Sequence, residues 1–331
     1  MARRAAVFLP LALATLGLVG CEAAQGSAVA AEGEGDFDIV VLPDTQYYTA
    51  NHPEILRAQT DWIIRARARD NIALVADEGD IVDADEPAQW ERAAGSLRRL
   101  DGLVPYVLSA GNHDYQRTGS LISRETLMSS YFPVQDFEPY AWFKGTFEMA
   151  RIENSFAIVP APGGPWLIMS LEFGPRDVVL AWANTVIKQH ASLPVILVTH
   201  AYLYSDGTRY DHRKRPDQLW NPHVYLDDRV PGAVNDGEEI WQKLVAGNSN
   251  VRFVLCGHDL EDGTGHLTSV RPDGTIVHQI LANYQMNNLG GGGYLRIMRF
   301  HPNERRVDIR TYSPFTDRYR TDAENQFSLS Y

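Results

Sequence analysis

Five short apolar runs constrain what this chain can fold into. Residues 37–42, 72–77, 104–109, 195–199 and 251–256 are near-continuous stretches of apolar residues, as in "PVILVTH" and "VRFVLCGH". A strand with one wet face alternates apolar and polar residues; runs without that alternation mark strands buried on both faces. Between them lie helical patterns over 54–68, 86–100, 177–190 and 237–246. In the first, Ile55, Leu56, Gln59, Trp62, Ile63 and Ala66 fall on one face. The C-terminal part changes character: "IVHQILANY", "YLRIMRF" and "RVDIRTYS" read as consecutive strands, with others at 154–159 and 166–171. The expectation is an α/β body with two mixed sheets between helices, in one domain over 37–331. Gly290 to Gly293 precede no Lys-Ser/Thr, so they form no phosphate-binding loop and are predicted to be a mobile one.

The residues at the end of each run carry the chemistry. Asp44 and Gln46 come after the first. Gly79-Asp80 comes after the second, with Asp83 three residues on. Gly111-Asn112-His113-Asp114 succeeds the third, His200 the fourth and Gly257-His258 the fifth. In open α/β sheets the carboxyl ends of the strands form the crevice where ligands bind. Five segments therefore deliver two Asp (Asp44 and Asp80), one Asn (Asn112) and three His (His113, His200 and His258), among others, to one edge of one sheet. Carboxylate and amide oxygens suit hard divalent ions, and imidazole suits Zn, Fe or Mn. A carboxylate can bridge two cations, and a cation pair about 3.5–4 Å apart can hold a phosphate and activate water for in-line attack.

The series D-x-Q … GD-x-x-D … GNHD … H … GH, spread over residues 44 to 258, resembles the calcineurin-like metallophosphoesterase superfamily. The resemblance implies a four-layer sandwich of two sheets flanked by helices. It implies two divalent metal ions (Mn, Fe, Zn or Mg) and hydrolysis of a phosphomonoester or phosphodiester by a metal-activated hydroxide. Asp80 would bridge the metals, Asn112, His200 and His258 would complete the second site, and Asp44 would belong to the first. His113 would assist the leaving group, with Asp114 orienting it. The chain departs from the pattern twice, both times at the first site. Gln46 stands where the family usually has His, and Leu260 stands where the last block usually has its second His. An oxygen-rich first site favours Mn or Mg over Zn. The alternative is an exported binding or scaffold protein on the same fold with a degraded first site. A non-phosphate ester is a third reading. His266 is expected to be a loop histidine rather than a replacement ligand, and Cys256 an inert core thiol.

The long segment 201–235 contains Arg209, His212, Arg213, Lys214 and Arg215 and no clear helix or strand pattern. One reading makes it a lid whose Arg209 and Arg213 meet the substrate's anion; the other makes it a solvated loop. Tyr284, at the end of "LANY", is a further candidate for substrate contact. The net charge of −12 argues against a nucleic-acid partner.

Residues 1–20 join a basic start, "MARR", to an apolar stretch too short and too Pro- and Gly-interrupted for a good membrane span. They are expected to be a lipoprotein-type signal peptide ending before Cys21. Residues 21–36 would then be a flexible linker. The expected location is the cell envelope, with a lipid on Cys21 as the only membrane attachment. A secreted or periplasmic soluble protein is the alternative. Substrate identity, metal identity and oligomeric state are not legible.

Overall fold

A computed structural model describes residues 35–115 and 123–331, all within the compact unit Ala31–Tyr331. The predicted leader and the attachment at Cys21 lie outside the described residues, as does nearly all of the predicted linker. The five apolar runs become β1 (Phe37–Leu42), β2 (Ile72–Asp77), β3 (Tyr106–Leu108), β7 (Val195–Thr199) and β8 (Val251–Cys256). Around them stand β4 (Phe143–Thr146), β5 (Ser155–Val159), β6 (Trp166–Leu171), β9 (Thr264–Val270) and β10 (Ile276–Ala282). Last come β11 (Leu295–His301), β12 (Arg306–Ser313), β13 (Arg318–Arg320) and β14 (Phe327–Ser330).

These strands form two seven-stranded sheets. The first runs β13-β12-β11-β1-β2-β3, with β14 also paired to β12; the second runs β4-β5-β6-β7-β8-β10-β9. In the first, β1, β2 and β3 are parallel and β11 joins β1 antiparallel. In the second, β6, β7, β8 and β10 are parallel. The five ligand-bearing strands are therefore divided three and two between the sheets. This corrects the expectation of one edge of one sheet: the site lies where the carboxyl ends of two stacked sheets meet.

The pleat explains the continuous apolar runs. Phe37, Ile39 and Val41 of β1 face Ile196 and Val198 of β7 and Phe253 and Leu255 of β8 across the sandwich. Val40 and Leu42 point the other way, onto Ile55, Leu56 and Ile63 of the helix Pro53–Ala66. Val195 and Leu197 likewise turn outward onto Val179, Ala183 and Ile187 of the helix Asp177–Gln189. Each such residue, fully buried, stabilises the fold by about 1.5–3 kcal/mol relative to exposure. The result is the expected layering of helices, sheet, sheet and helices.

The Gly290–Gly293 run is not the expected loose loop. The Gly292 carbonyl accepts from Ser313 Oγ at 2.6 Å and the Gly293 carbonyl from Gln59 Nε2 at 3.0 Å. Backbone and side-chain atoms of Tyr47, Tyr48 and Ile55 pack so closely on Gly290 and Gly293 that a Cβ would displace them. His266 is a strand residue, paired with Ile280 on β10.

Candidate functional site

Three of the turns that leave these strands place a non-glycine residue in the left-handed region: Asp44 (φ 37°), Asp80 (φ 51°) and His258 (φ 75°). Asp tolerates that backbone at little cost, but His258 is strained by it, and strained residues cluster where position matters more than stability. Two glycines let the turns close. A Cβ on Gly111 would fall inside the Asp80 carboxylate, and one on Gly257 would fall inside that of Asp44.

The resulting cluster is buried and rich in lone pairs. His200 Nδ1 lies 2.9 Å from the Glu78 carbonyl oxygen, and His258 Nε2 lies 2.7 Å from that of Trp220. A carbonyl only accepts, so each of those nitrogens carries the proton. The other two ring nitrogens, His200 Nε2 and His258 Nδ1, are left bare and stand 3.1 Å apart. Asp80 Oδ1 is 3.3 Å from His200 Nε2, and Asp44 Oδ1 is 3.9 Å from it. One ligand atom from each of Asp80, His200 and His258 lies within 4.8 Å of the others. Asp80 Oδ1 and Asp44 Oδ1 accept from the backbone N–H groups of His113 and His258 at 3.0 and 3.1 Å, but no donor reaches the two bare imidazole nitrogens, and a cation between them and the carboxylates turns their repulsion into coordination. The carbonyls behind the imidazoles are the partners that metal-bound histidines characteristically have.

Two amide oxygens agree. Gln46 Oε1 and Asn112 Oδ1 are buried and have no hydrogen-bond partner among the described residues. An orphaned buried acceptor costs about 1–3 kcal/mol, a cost that coordination removes. Gln46 Nε2 meanwhile donates to Asp80 Oδ2 at 2.8 Å. The donor set therefore fits divalent cations, with mixed nitrogen and oxygen at the histidines and oxygen alone at Asp44 and Gln46.

The electrostatics also call for positive charge. Asp44, Asp77, Glu78, Asp80 and Asp114 are all buried. Burial, then the Asp80 and Glu78 charges, push the Asp44 carboxyl well above its ordinary range. Burial acts on Asp80 too, but positive charge on the facing His200 and His113 outweighs it and holds its carboxyl low; where His200 is neutral, a bound cation would supply that charge. His258 is pushed down to about 3, by burial first and His200 second, so its imidazole is neutral, the form that binds metals. His113 moves the other way: burial lowers it, but Asp80 and the Asp83 carbonyl raise it above the ordinary value.

Asp114 is placed differently from the expectation. Its Oδ1 accepts from the backbone N–H groups of Ile81 and Val82 at 2.9 and 3.0 Å, and its Oδ2 from that of Gly111 at 2.8 Å. It clamps the Asp80 turn to the Asn112 turn. The residue that orients His113 is Asp83, whose carbonyl oxygen is 2.8 Å from His113 Nδ1. Asp83 does not cap the next helix: Pro87–Leu97 has Glu86 at its N-cap.

The candidate substrate residues are corrected as well. Arg209 donates to Gln279 Oε1, Glu238 Oε2 and Ser269 Oγ and lies over the Trp241 ring at 3.9 Å. Its guanidinium is held by the β9–β10 edge. Arg213 is exposed and pairs with Glu239. Tyr284 is buried, bonded to Thr311, Asn325 and Arg296. What the 201–235 segment does bring to the site is the Trp220 carbonyl and the rings of Tyr225 and Tyr210, 5.6 and 6.0 Å from His258. Phe173, just beyond β6, packs on His258, Tyr225 and His200 at 5.2, 5.6 and 5.8 Å. "LEFG" after an apolar run was the available signal for Phe173. For Trp220 there was none, because its main chain makes the contact.

Residues 37–262 match the calcineurin-like phosphoesterase family. The chain is 32% identical over 312 residues to uncharacterized protein YvnB of Bacillus subtilis (strain 168), across 89% of this chain and 22% of that protein. It thus spans about a fifth of that relative's length. A solved structure described as GAP50, the anchor in the inner membrane complex of Plasmodium, aligns with a TM-score of 0.46 and 9% identity, over 89% of this chain and 90% of that one. With the family match covering well over half of its residues, this chain belongs to the calcineurin-like phosphoesterase family.

Proposed function

We propose that this chain hydrolyses a phosphate ester, using divalent cations held at the meeting of the two sheets. The observation that carries the reading is the bare pair His200 Nε2 and His258 Nδ1, 3.1 Å apart beside Asp80. Asp80, Asn112, His200 and His258 would hold one cation, and Asp44, Gln46 and Asp80 the other. When bound, such cations supply charge for the phosphoryl oxygens and make a water more acidic.

The rest falls to the chain's own groups. His113 keeps Nδ1 on the Asp83 carbonyl, so Nε2 is the end free to donate a proton to the departing alkoxide. Asp114 fixes the backbone that carries Asn112 and His113. Phe173 and Tyr225 wall the imidazoles off from water, which strengthens every charge interaction inside. The basic and apolar start of the chain supports placing this chemistry at the cell envelope.

The test is a panel of phosphomonoesters, phosphodiesters and carboxyl esters with Mn2+, run beside Asp80→Asn and His200→Ala. The expected result is Mn2+-dependent hydrolysis of at least one phosphate class, abolished by both substitutions. Hydrolysis of carboxyl esters alone would overturn the reading. Metal binding without any turnover would favour the second reading, a binding protein on this fold. Leu260 in the last block motivates that alternative, together with the Gln46 amide donating to the Asp80 oxygen that a second cation would need.

A further inference from the structure

The insert between β7 and β8 gathers a second group of ligating side chains. His212 Nδ1 lies 2.8 Å from Asp236 Oδ2, and His223 Nε2 lies 2.8 Å from Glu239 Oε2. The two imidazoles face each other with centroids 3.7 Å apart and planes at 31°. One ligand atom from each of the four residues lies within 4.8 Å of all the others. None of the four belongs to the Asp80 cluster.

The scaffold under these side chains is fixed. Asp236 and Glu239 form a reciprocal capping box at the start of Gly237–Ile240. Asn221 caps Pro222–Tyr225 and donates to Asp236 Oδ2 at 3.3 Å. The Asp236 side chain is 1% exposed, and those of His223 and Glu239 are 12% exposed each. His223 Nδ1 is buried without a hydrogen-bond partner among the described residues.

Two ordinary histidine–carboxylate pairs explain this arrangement poorly. With both rings protonated, two cations would stand face to face at 3.7 Å. With both rings neutral, Asp236 would keep only uncharged donors, the His212 and Glu239 backbone N–H groups at 2.8 and 3.1 Å and Asn221 Nδ2 at 3.3 Å, while Glu239 also meets Arg213 at 3.1 Å. A divalent cation avoids the repulsion between the rings: two neutral imidazoles and two carboxylates around a 2+ ion sum to zero, with Arg213 beside Glu239 at the exposed rim. At bond lengths of about 2.1 Å, tetrahedral ligand atoms lie about 3.4 Å apart, a value compatible with the 2.8 Å pairs and with all four atoms lying within 4.8 Å of one another. Two nitrogens and two oxygens in four-fold coordination suit Zn2+.

We propose that His212, His223, Asp236 and Glu239 bind a divalent cation of the zinc type, separate from the reaction site, that fastens the insert over it. The connection is one residue long. Asn221 touches Asp236, and its neighbour Trp220 holds His258 through its carbonyl. An ion here sets the position of the segment that orients a residue of the reaction site.

The experiment uses the full chain carrying Asp80→Asn and His200→Ala, which weakens the first cluster, with and without the further pair His223→Gln and Glu239→Gln. Gln at 239 preserves the capping box. After zinc loading and dialysis, the parent is expected to hold one more Zn2+ per chain than the variant. Loaded with Co2+, the parent alone should show the intense visible absorption of a four-coordinate ion. Should the variant fail to fold, His212→Gln, which alters the most exposed of the four side chains, is expected to diminish the same Co2+ signal. Equal zinc content in parent and variant, or a Co2+ spectrum that survives the substitutions, overturns the proposal. Because the comparison is made with the first cluster already impaired, its outcome is independent of whether that cluster supports hydrolysis.

Discussion

His258 Nε2 donates to the carbonyl oxygen of Trp220 at 2.7 Å. That one bond fixes the tautomer of His258, turns its bare Nδ1 toward His200 Nε2, and ties the long insert to the Asp80 cluster. The bare nitrogens predict a metal-dependent gain in stability. A ligand at about a hundred times its Kd adds about 2.7 kcal/mol to the folded state. Mn2+ should raise the denaturant midpoint of the wild-type chain, and His200→Ala should lose most of that increment. Identical increments in the two proteins would place the ion elsewhere.

His113 is expected to act on the leaving group, and the signature is selectivity among leaving groups. His113→Gln should lower kcat by about 10²–10⁴-fold on alkyl phosphates, the usual range for a lost proton donor. Nitrophenyl esters, whose anion departs without a proton, should lose far less. A uniform loss across both classes would make His113 a binding residue instead.

Gly257 and Gly95 form a matched pair. A Cβ at Gly257 would overlap the Asp44 carboxylate, whereas one at Gly95, inside the helix Pro87–Leu97, meets nothing within 4 Å. Gly257→Ala should cost about 1–3 kcal/mol as overpacking does and abolish activity by displacing Asp44. Gly95→Ala should stabilise by about 0.5–1 kcal/mol and leave activity unchanged. Urea titrations and turnover on the same preparations decide both.

The strand ends were legible because burial on both faces writes itself into local sequence, and because a glycine and a polar group mark where the backbone turns. The division of β1, β2 and β3 from β7 and β8 was not legible, since it depends on pairings such as β11 with β1, between segments more than two hundred residues apart. Arg209 looked free for a substrate because its partners Gln279 and Ser269 lie on later strands. Trp220 escaped notice, and Asp83 was in view without its role on His113, for a different reason: each acts through its carbonyl, and the sequence says nothing about where a carbonyl points. The orphaned oxygens of Gln46 and Asn112 are the converse case, where residue type already announced a ligand and the burial agrees.

The last prediction concerns pH and lies away from the site. His266 on β9 stacks against Phe327 of β14 with centroids 5.3 Å apart, near His278. Burial, then His278 and Arg296, push its pKa down to about 4 from an ordinary 6.5. His278, whose Nε2 is 2.8 Å from the Ser330 carbonyl oxygen, is lowered as well, by burial. The folded protein therefore keeps the His266 ring neutral while the unfolded chain protonates it below 6.5. Between 6.5 and 4 the unfolded state binds more protons, so the stability due to this ring falls as pH falls through that window. The buried acids Asp44 and Asp77, raised by burial, act with the opposite sign, so the slope of the wild type alone mixes the two. Comparison with His266→Phe removes them, because they are common to both proteins, and the substituted ring can keep its stacking on Phe327. Denaturant midpoints measured across the window should fall more steeply with acid in the wild type than in His266→Phe. Amide exchange in β14 should also quicken in the wild type first. Parallel slopes would mean that the ring stays solvated enough to titrate alike in both states.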